Sequence, residues 1–163
     1  MSMRTQRTDI AARAAKIAEE LSALEGPLLP ILHELQHEFG HIPTSALPVI
    51  AEALNLSRAE VYGVVSFYHD FRREPAGRHV LKLCRSEACQ SMGAEEIADQ
   101  ITKALGVELN ETSADGALTI EPVYCLGLCA CAPAALFDGE PIGRLDASAV
   151  AEISARVKPG AQS

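Results

Sequence analysis

Apolar residues recur at three- and four-residue steps through the first part of the chain, then give way to short β-branched runs punctuated by turn residues. From Asp9, a plausible N-cap, Ile10, Ala14, Ile17, Leu21 and Leu24 share one helical face until Gly26-Pro27 stops the pattern. A second helix is predicted from about Pro30 to Phe39, with Leu28, Leu32, Leu35 and Phe39 as its buried stripe. Thr44 or Ser45 is placed to cap a short third helix carrying Leu47, Ile50, Ala53 and Leu54. Ser57-Arg58-Ala59-Glu60 reads as a capping box opening a fourth helix through about Tyr68, with Val61, Val64, Val65 and Tyr68 inward. Gly63 inside it costs about 1 kcal/mol relative to alanine and is read as a close helix crossing. Phe67, Tyr68 and Phe71 are expected to pack a core and an interface together.

The period then changes. Arg72 to Arg78 is a charged stretch containing Pro75 and Gly77, the best candidate for a linker. His79 to Leu83 alternates as a strand whose end delivers Cys84, and a helix from about Gly93 to Leu105 follows with Ile97, Ala98, Ile101 and Leu105 on one face. Val107 to Leu109 and Leu118 to Ile120 read as strands around an Asp115-Gly116 turn. Ala134 to Phe137 and Pro141 to Gly143 form a hairpin signal across Asp138-Gly139. Asp146 caps a last helix bearing Val150, Ile153 and Val157. The expected organisation is α+β: a disordered terminus over 1–8, a small helical bundle over 9–72, a linker over 73–78 and a β-α-β-β-β-α domain over 79–158.

Composition narrows the function classes. Lys+Arg 14 against Asp+Glu 22 gives a formal charge of −8, whereas a nucleic-acid footprint would be basic. No apolar run approaches the ~18 residues of a membrane span, so direct membrane insertion is not expected. The acidic residues Asp9, Glu19 and Glu20 argue against a transit peptide, and no export signal is read, so a cytoplasmic location with reduced thiols is expected. No catalytic dyad, phosphate-cradling glycine loop or dinucleotide fingerprint occurs, and no catalytic residue is assigned. His33 and His37 stand at helical spacing, with His41 beyond Gly40, but they lie among Glu34, Gln36 and Glu38 without a metalloprotease pattern. A solvated or partner-facing surface is the better reading.

The chemistry concentrates in the cysteines. Cys84 and Cys89 form one close pair and Cys125 and Cys129 a second, with Cys131 left over. The odd count and the absence of a secretory signal weigh against disulfides. Spacing alone leaves two candidates open, a structural Cys₄ zinc and an iron–sulfur cluster. The loops favour the cluster: a [2Fe–2S] centre takes two thiolates per iron, so Cys84 and Cys89 suit one iron and Cys125 and Cys129 the other. The run from Cys125 to Pro133 is apolar and small, and Gly127 lets backbone N–H groups turn toward sulfur. The charges of Lys82 and Arg85 lie near these ligands, where they could raise a reduction potential or simply meet solvent.

The run Glu60 to Tyr68, the strand Val80 to Cys84 with Cys89, the stretch Pro122 to Cys129 and then Ala132-Pro133-Ala134 resemble the 24-kDa subunit family of respiratory NADH dehydrogenase. Within that family the wording C-R-S-E-A-C-Q-S-M-G and C-L-G-L-C-A-C-A-P is most similar to the gamma subunits of soluble, NAD-dependent molybdenum or tungsten formate dehydrogenases. The resemblance implies a thioredoxin-like ferredoxin domain holding one [2Fe–2S] cluster on Cys84, Cys89, Cys125 and Cys129, with Cys131 outside the ligand set. It implies electron transfer to or from the FMN of a flavin/NADH-binding partner subunit. FMN, NAD and molybdopterin would reside only on partner subunits, the last on a large formate-oxidising one. Equivalent subunits of respiratory NADH dehydrogenase or of an NAD-linked hydrogenase are the alternative, and a zinc-bound docking adaptor is a further one.

Overall fold

A computed structural model describes the backbone of residues 3–157 and the side chains of residues 9–157. The chain divides into two compact units between Pro75 and Ala76, inside the charged Pro/Gly stretch.

The first unit comprises four helices: α1 (Met3–Leu21), α2 (Leu28–Phe39), α3 (Leu47–Ala53) and α4 (Arg58–Phe67). Helix α1 runs through Asp9 and ends at Leu21, so Asp9 is not its cap and the half-exposed Leu24 lies beyond it. Of the terminus expected over 1–8, residues 1–2 and the side chains up to 8 lie outside the described residues. Helix α2 closes on Gly40 at φ 73°, whose N–H donates to Gln36 O at 2.8 Å. Helix α3 starts from Ala46 rather than from a Thr44 or Ser45 cap; Pro48 in its first turn has no N–H to satisfy. The capping box on α4 is complete: Ser57 Oγ accepts from Glu60 N–H at 3.2 Å, and Ser57 N–H donates to Glu60 Oε2 at 2.8 Å. Ile17, Ile31, Leu32, Leu35, Ile50, Val61 and Phe71 fill the core of this unit. Two expectations fail on α4. A Cβ at Gly63 would meet nothing within 4 Å, so no helix crosses there, and Tyr68 is exposed where it was expected inward.

The second unit is a five-stranded sheet with helices. Its elements are β1 (His79–Cys84), α5 (Glu87–Ser91), α6 (Ala94–Leu105), β2 (Glu111–Thr112), β3 (Leu118–Val123), β4 (Ala134–Phe137), β5 (Glu140–Gly143) and α7 (Ala147–Val157), with a 3₁₀ turn at Cys129–Cys131. The strand order is β2-β3-β1-β4-β5. β1 runs parallel to β3 and antiparallel to β4, so the central strand is buried between both neighbours. The hairpin turn carries Asp138 at φ 51° and Gly139 at φ 86°, the two left-handed positions a type I′ turn requires. Asp146 Oδ1 accepts from Ser148 N–H and Ala149 N–H, capping α7 as expected. Val107–Leu109 is not a strand. Val107 is a buried core residue, Asn110 turns the backbone at φ 64°, and the ladder to β3 begins only at Glu111. Leu81, Leu118, Ile120, Phe137, Ile101 and Ile153 form the core.

Candidate metal centre

The register of β1 and β3 decides where the cysteines go. Because the strands are parallel with Cys84 opposite Val123, both end at the same edge of the sheet, and Cys125 follows only two residues past that partner. Arg85 N–H donates to Val123 O at 2.7 Å and extends the ladder one step beyond Cys84. β4 is antiparallel to β1 and starts at Ala134, so the segment from Tyr124 to Pro133 leaves and re-enters the sheet at that same edge. Helix α5, unpredicted by periodicity because it is a single turn and a half, carries Cys89 back toward Cys84.

Within the second loop the two sulfurs are close, and the Cys125 N–H reaches across to Cys84 of the first. Cys125 Sγ and Cys129 Sγ lie 3.9 Å apart. The Ser86 hydroxyl lies 3.2 Å from Cys84 Sγ. Burial pushes the Cys84 thiol up, but the Ser86 hydroxyl and N–H, the Cys89 thiol and the Cys125 N–H outweigh it and bring it down to about 7. Burial, together with the hydrogen bond it donates to Cys84, pushes the Cys89 thiol up, against the Ala134 N–H aimed at it. Cys129 is pushed up by its hydrogen bond to Cys125 and by the charges of Cys125 and Cys84. Both cysteine pairs lie where β1 and β3 end and β4 begins. All five cysteines are free, and among the described residues no three His, Cys, Asp or Glu donors surround a single point suited to one metal ion. The thiols form pairs.

Backbone strain marks the second loop. Cys125 adopts φ 81°, a left-handed conformation a non-glycine residue enters at a cost of order 1–3 kcal/mol, and Gly127 follows at φ 76°. Apolar cover is uneven: Val123, Leu126, Leu128 and Ala132 pack around buried Cys84, Cys89 and Ala134, while Cys125 and Cys129 are exposed. The sheltered loop expected from its apolar wording shelters one pair only. Tyr124, 76% exposed, borders the open pair. Cys131 lies against β5: a Cβ at Gly143 would lie 2.6 Å from its Cβ, and its carbonyl accepts from Arg144 N–H at 2.7 Å. It packs the loop against β5. The nearby charges are matched, Arg85 with Glu95 and Lys82 with Glu121 at 3.7 Å. His33 and His37 are exposed on α2, and His33 sets its ring edge against Phe71 at 5.0 Å. Sequence reasoning missed the Ser86 hydroxyl and the Ala134 N–H; the C-x-S wording was the available signal for the former.

A chain of this fold, with four thiols converging from two loops, has the donor chemistry a two-iron cluster takes. The family described as thioredoxin-like [2Fe–2S] ferredoxin matches residues 14–158. The chain belongs to that family. Its cofactor is a [2Fe–2S] cluster and its work is electron transfer. One subunit of the NADH-quinone oxidoreductase of Pseudomonas aeruginosa is 36% identical over 142 residues, 85% of this chain and 86% of that protein. The HndA subunit of the NADP-reducing hydrogenase of Solidesulfovibrio fructosivorans is 31% identical over 137 residues, 84% of this chain and 80% of that one. Among solved structures, an air-oxidized NAD⁺-reducing [NiFe]-hydrogenase superposes with a TM-score of 0.71 at 26% identity, over 83% of this chain and only 23% of the other. These relatives are subunits of larger oxidoreductases. Among the described residues, no helix is long and apolar enough to cross a membrane.

Proposed function

We propose that Cys84, Cys89, Cys125 and Cys129 hold the cluster, with Cys84 and Cys89 on one iron and Cys125 and Cys129 on the other. The observation that carries this assignment is the parallel register of β1 and β3, which ends both cysteine loops at one sheet edge. Two thiols from each loop can serve one iron each, and the family's [2Fe–2S] cofactor favours that reading over a Cys₄ zinc. When bound, the cluster supplies a one-electron couple. The chain's own residues do the rest. Cys84 and Cys89 anchor the buried side, Leu126 and Leu128 keep water from it, and N–H groups of Cys125 and Ala134 point at sulfur. The exposed Cys125–Cys129 side is where electrons come and go at shortest range.

The partner in this reading is a flavin/NADH-binding subunit whose FMN exchanges single electrons with this chain, hydride chemistry on NAD remaining with the partner. The cysteine-loop wording supports a host that is an NAD-dependent formate dehydrogenase, converting formate and NAD⁺ to CO₂ and NADH, with molybdopterin on a large subunit. The assembly is cytoplasmic in this proposal. A second reading is favoured by the relatives, which are named as subunits of NADH-quinone oxidoreductase and of pyridine-nucleotide-linked hydrogenases. Affinity purification of the tagged chain from its own cells separates them. The formate reading expects a co-purifying large subunit, molybdenum or tungsten, and formate-dependent NAD⁺ reduction. Hydrogen-dependent or quinone-dependent activity without that metal would overturn it.

A further inference from the structure

We propose that the Ser86 hydroxyl sets the reduction potential of the cluster by donating a hydrogen bond to Cys84 sulfur; this rests on the ligand assignment above. Ser86 stands at the N-cap of α5 with extended backbone (φ −81°, ψ 163°), the position where a serine side chain ordinarily accepts from an amide in the first helical turn. It makes no such capping bond. Its hydroxyl instead lies 3.2 Å from Cys84 Sγ. Between a free thiol and a hydroxyl either group can donate. A thiolate ligand has no proton to give, so in the loaded protein the hydroxyl is the only donor of the pair.

The direction of the effect follows from charge. Reduction adds one electron to one iron, Fe³⁺ becoming Fe²⁺, with no bond made or broken and no proton required, and the added negative charge spreads onto the sulfur ligands. A donor held against a ligand sulfur is worth more against the more negative state, so it favours the reduced form and raises the potential. The site is suited to exert this. Cys84 is 4% exposed, so little water competes for its sulfur, and apolar Val123, Leu126 and Ala134 surround it. The neighbouring cations are matched, Arg85 by Glu95 and Lys82 by Glu121, whereas the Ser86 hydroxyl bears on Cys84 Sγ directly at 3.2 Å.

The test is an EPR-monitored redox titration of the full chain carrying its cluster, as wild type, Ser86→Ala and Ser86→Thr, with iron and sulfide measured on each. Loss of the hydroxyl should leave iron and sulfide unchanged and lower the midpoint. The reduced-to-oxidised ratio at the wild-type midpoint should fall on the order of tenfold, about 59 mV for a one-electron couple. Ser86→Thr, which keeps the hydroxyl, should restore it. Should the alanine variant lose its cluster, Ser86→Gly serves in its place, since glycine is also accepted at an N-cap. A full cluster with an unmoved midpoint in the variants lacking the hydroxyl overturns the role of Ser86 while leaving the ligand assignment intact. A wild-type chain with zinc and no sulfide overturns both.

Discussion

Gly143 shows how tightly the cysteine loop is held by single residues. A methyl group there would sit 2.6 Å from Cys131 Cβ and 3.1 Å from its carbonyl, closer than real contacts allow, and neither atom is the free end of a flexible side chain. Gly143→Ala should therefore destabilise the protein by about 1–3 kcal/mol, read as a lowered urea midpoint. Cys131→Ser makes the complementary case. Its Cβ and carbonyl pack the loop on β5 and its thiol lies outside the proposed ligand set, so that variant should keep its iron and sulfide; loss of iron from it alone would show that the ligand set is misassigned. The two close cysteine pairs were legible in the sequence, though their spacing alone left zinc and an iron–sulfur cluster open. The left-handed backbone at Cys125 was not, because a non-glycine residue at φ 81° is imposed by the closure of the loop rather than by its own preference. The C-x-S wording placed Ser86 near Cys84, but an N-cap serine predicts an amide partner rather than a sulfur, so its role was not read.

Among the elements, those written in local chemistry were readable. The Ser57–Glu60 box, the Asp138-Gly139 turn and the Asp146 cap each appear where their residue types place them. Ser57→Ala should cost about 1 kcal/mol in chemical denaturation. The hydrogen bonds from the Ser57 hydroxyl and N–H hold the Glu60 carboxyl below the ordinary carboxylate range. A lowered folded-state value means that this contribution is present above the ordinary carboxylate value and lost as pH falls through the folded one. Glu60→Gln should accordingly flatten the acid limb of the stability profile; an unchanged acid limb would show that the box contributes nothing there. The elements misread were those fixed by tertiary partners. Val107–Leu109 alternates like a strand, but burial of Val107 in the core and the turn at Asn110 postpone pairing to Glu111. Helix α5 is too short to show a period, yet it is the element that returns Cys89 to Cys84.

For the whole molecule, the sequence period distinguished a helical first part from a mixed second part, and the structure has two compact units dividing at Pro75 and Ala76. The parallel pairing of β1 with β3 was beyond reach of periodicity, and it is that pairing which brings distant cysteine pairs to one edge. The cluster should then act as a cross-link between the two loops. Removing it with acid or chelator should lower thermal stability, with increased amide exchange concentrated at 84–94 and 123–134, and a protein equally protected without iron would contradict that role. The central claim is most directly tested by the stoichiometry of iron, zinc and acid-labile sulfide in the anaerobically purified chain. The four-cysteine assignment predicts about two iron and two sulfide per chain, lost together when Cys84, Cys89, Cys125 or Cys129 is replaced by alanine. One zinc per chain without sulfide would contradict it.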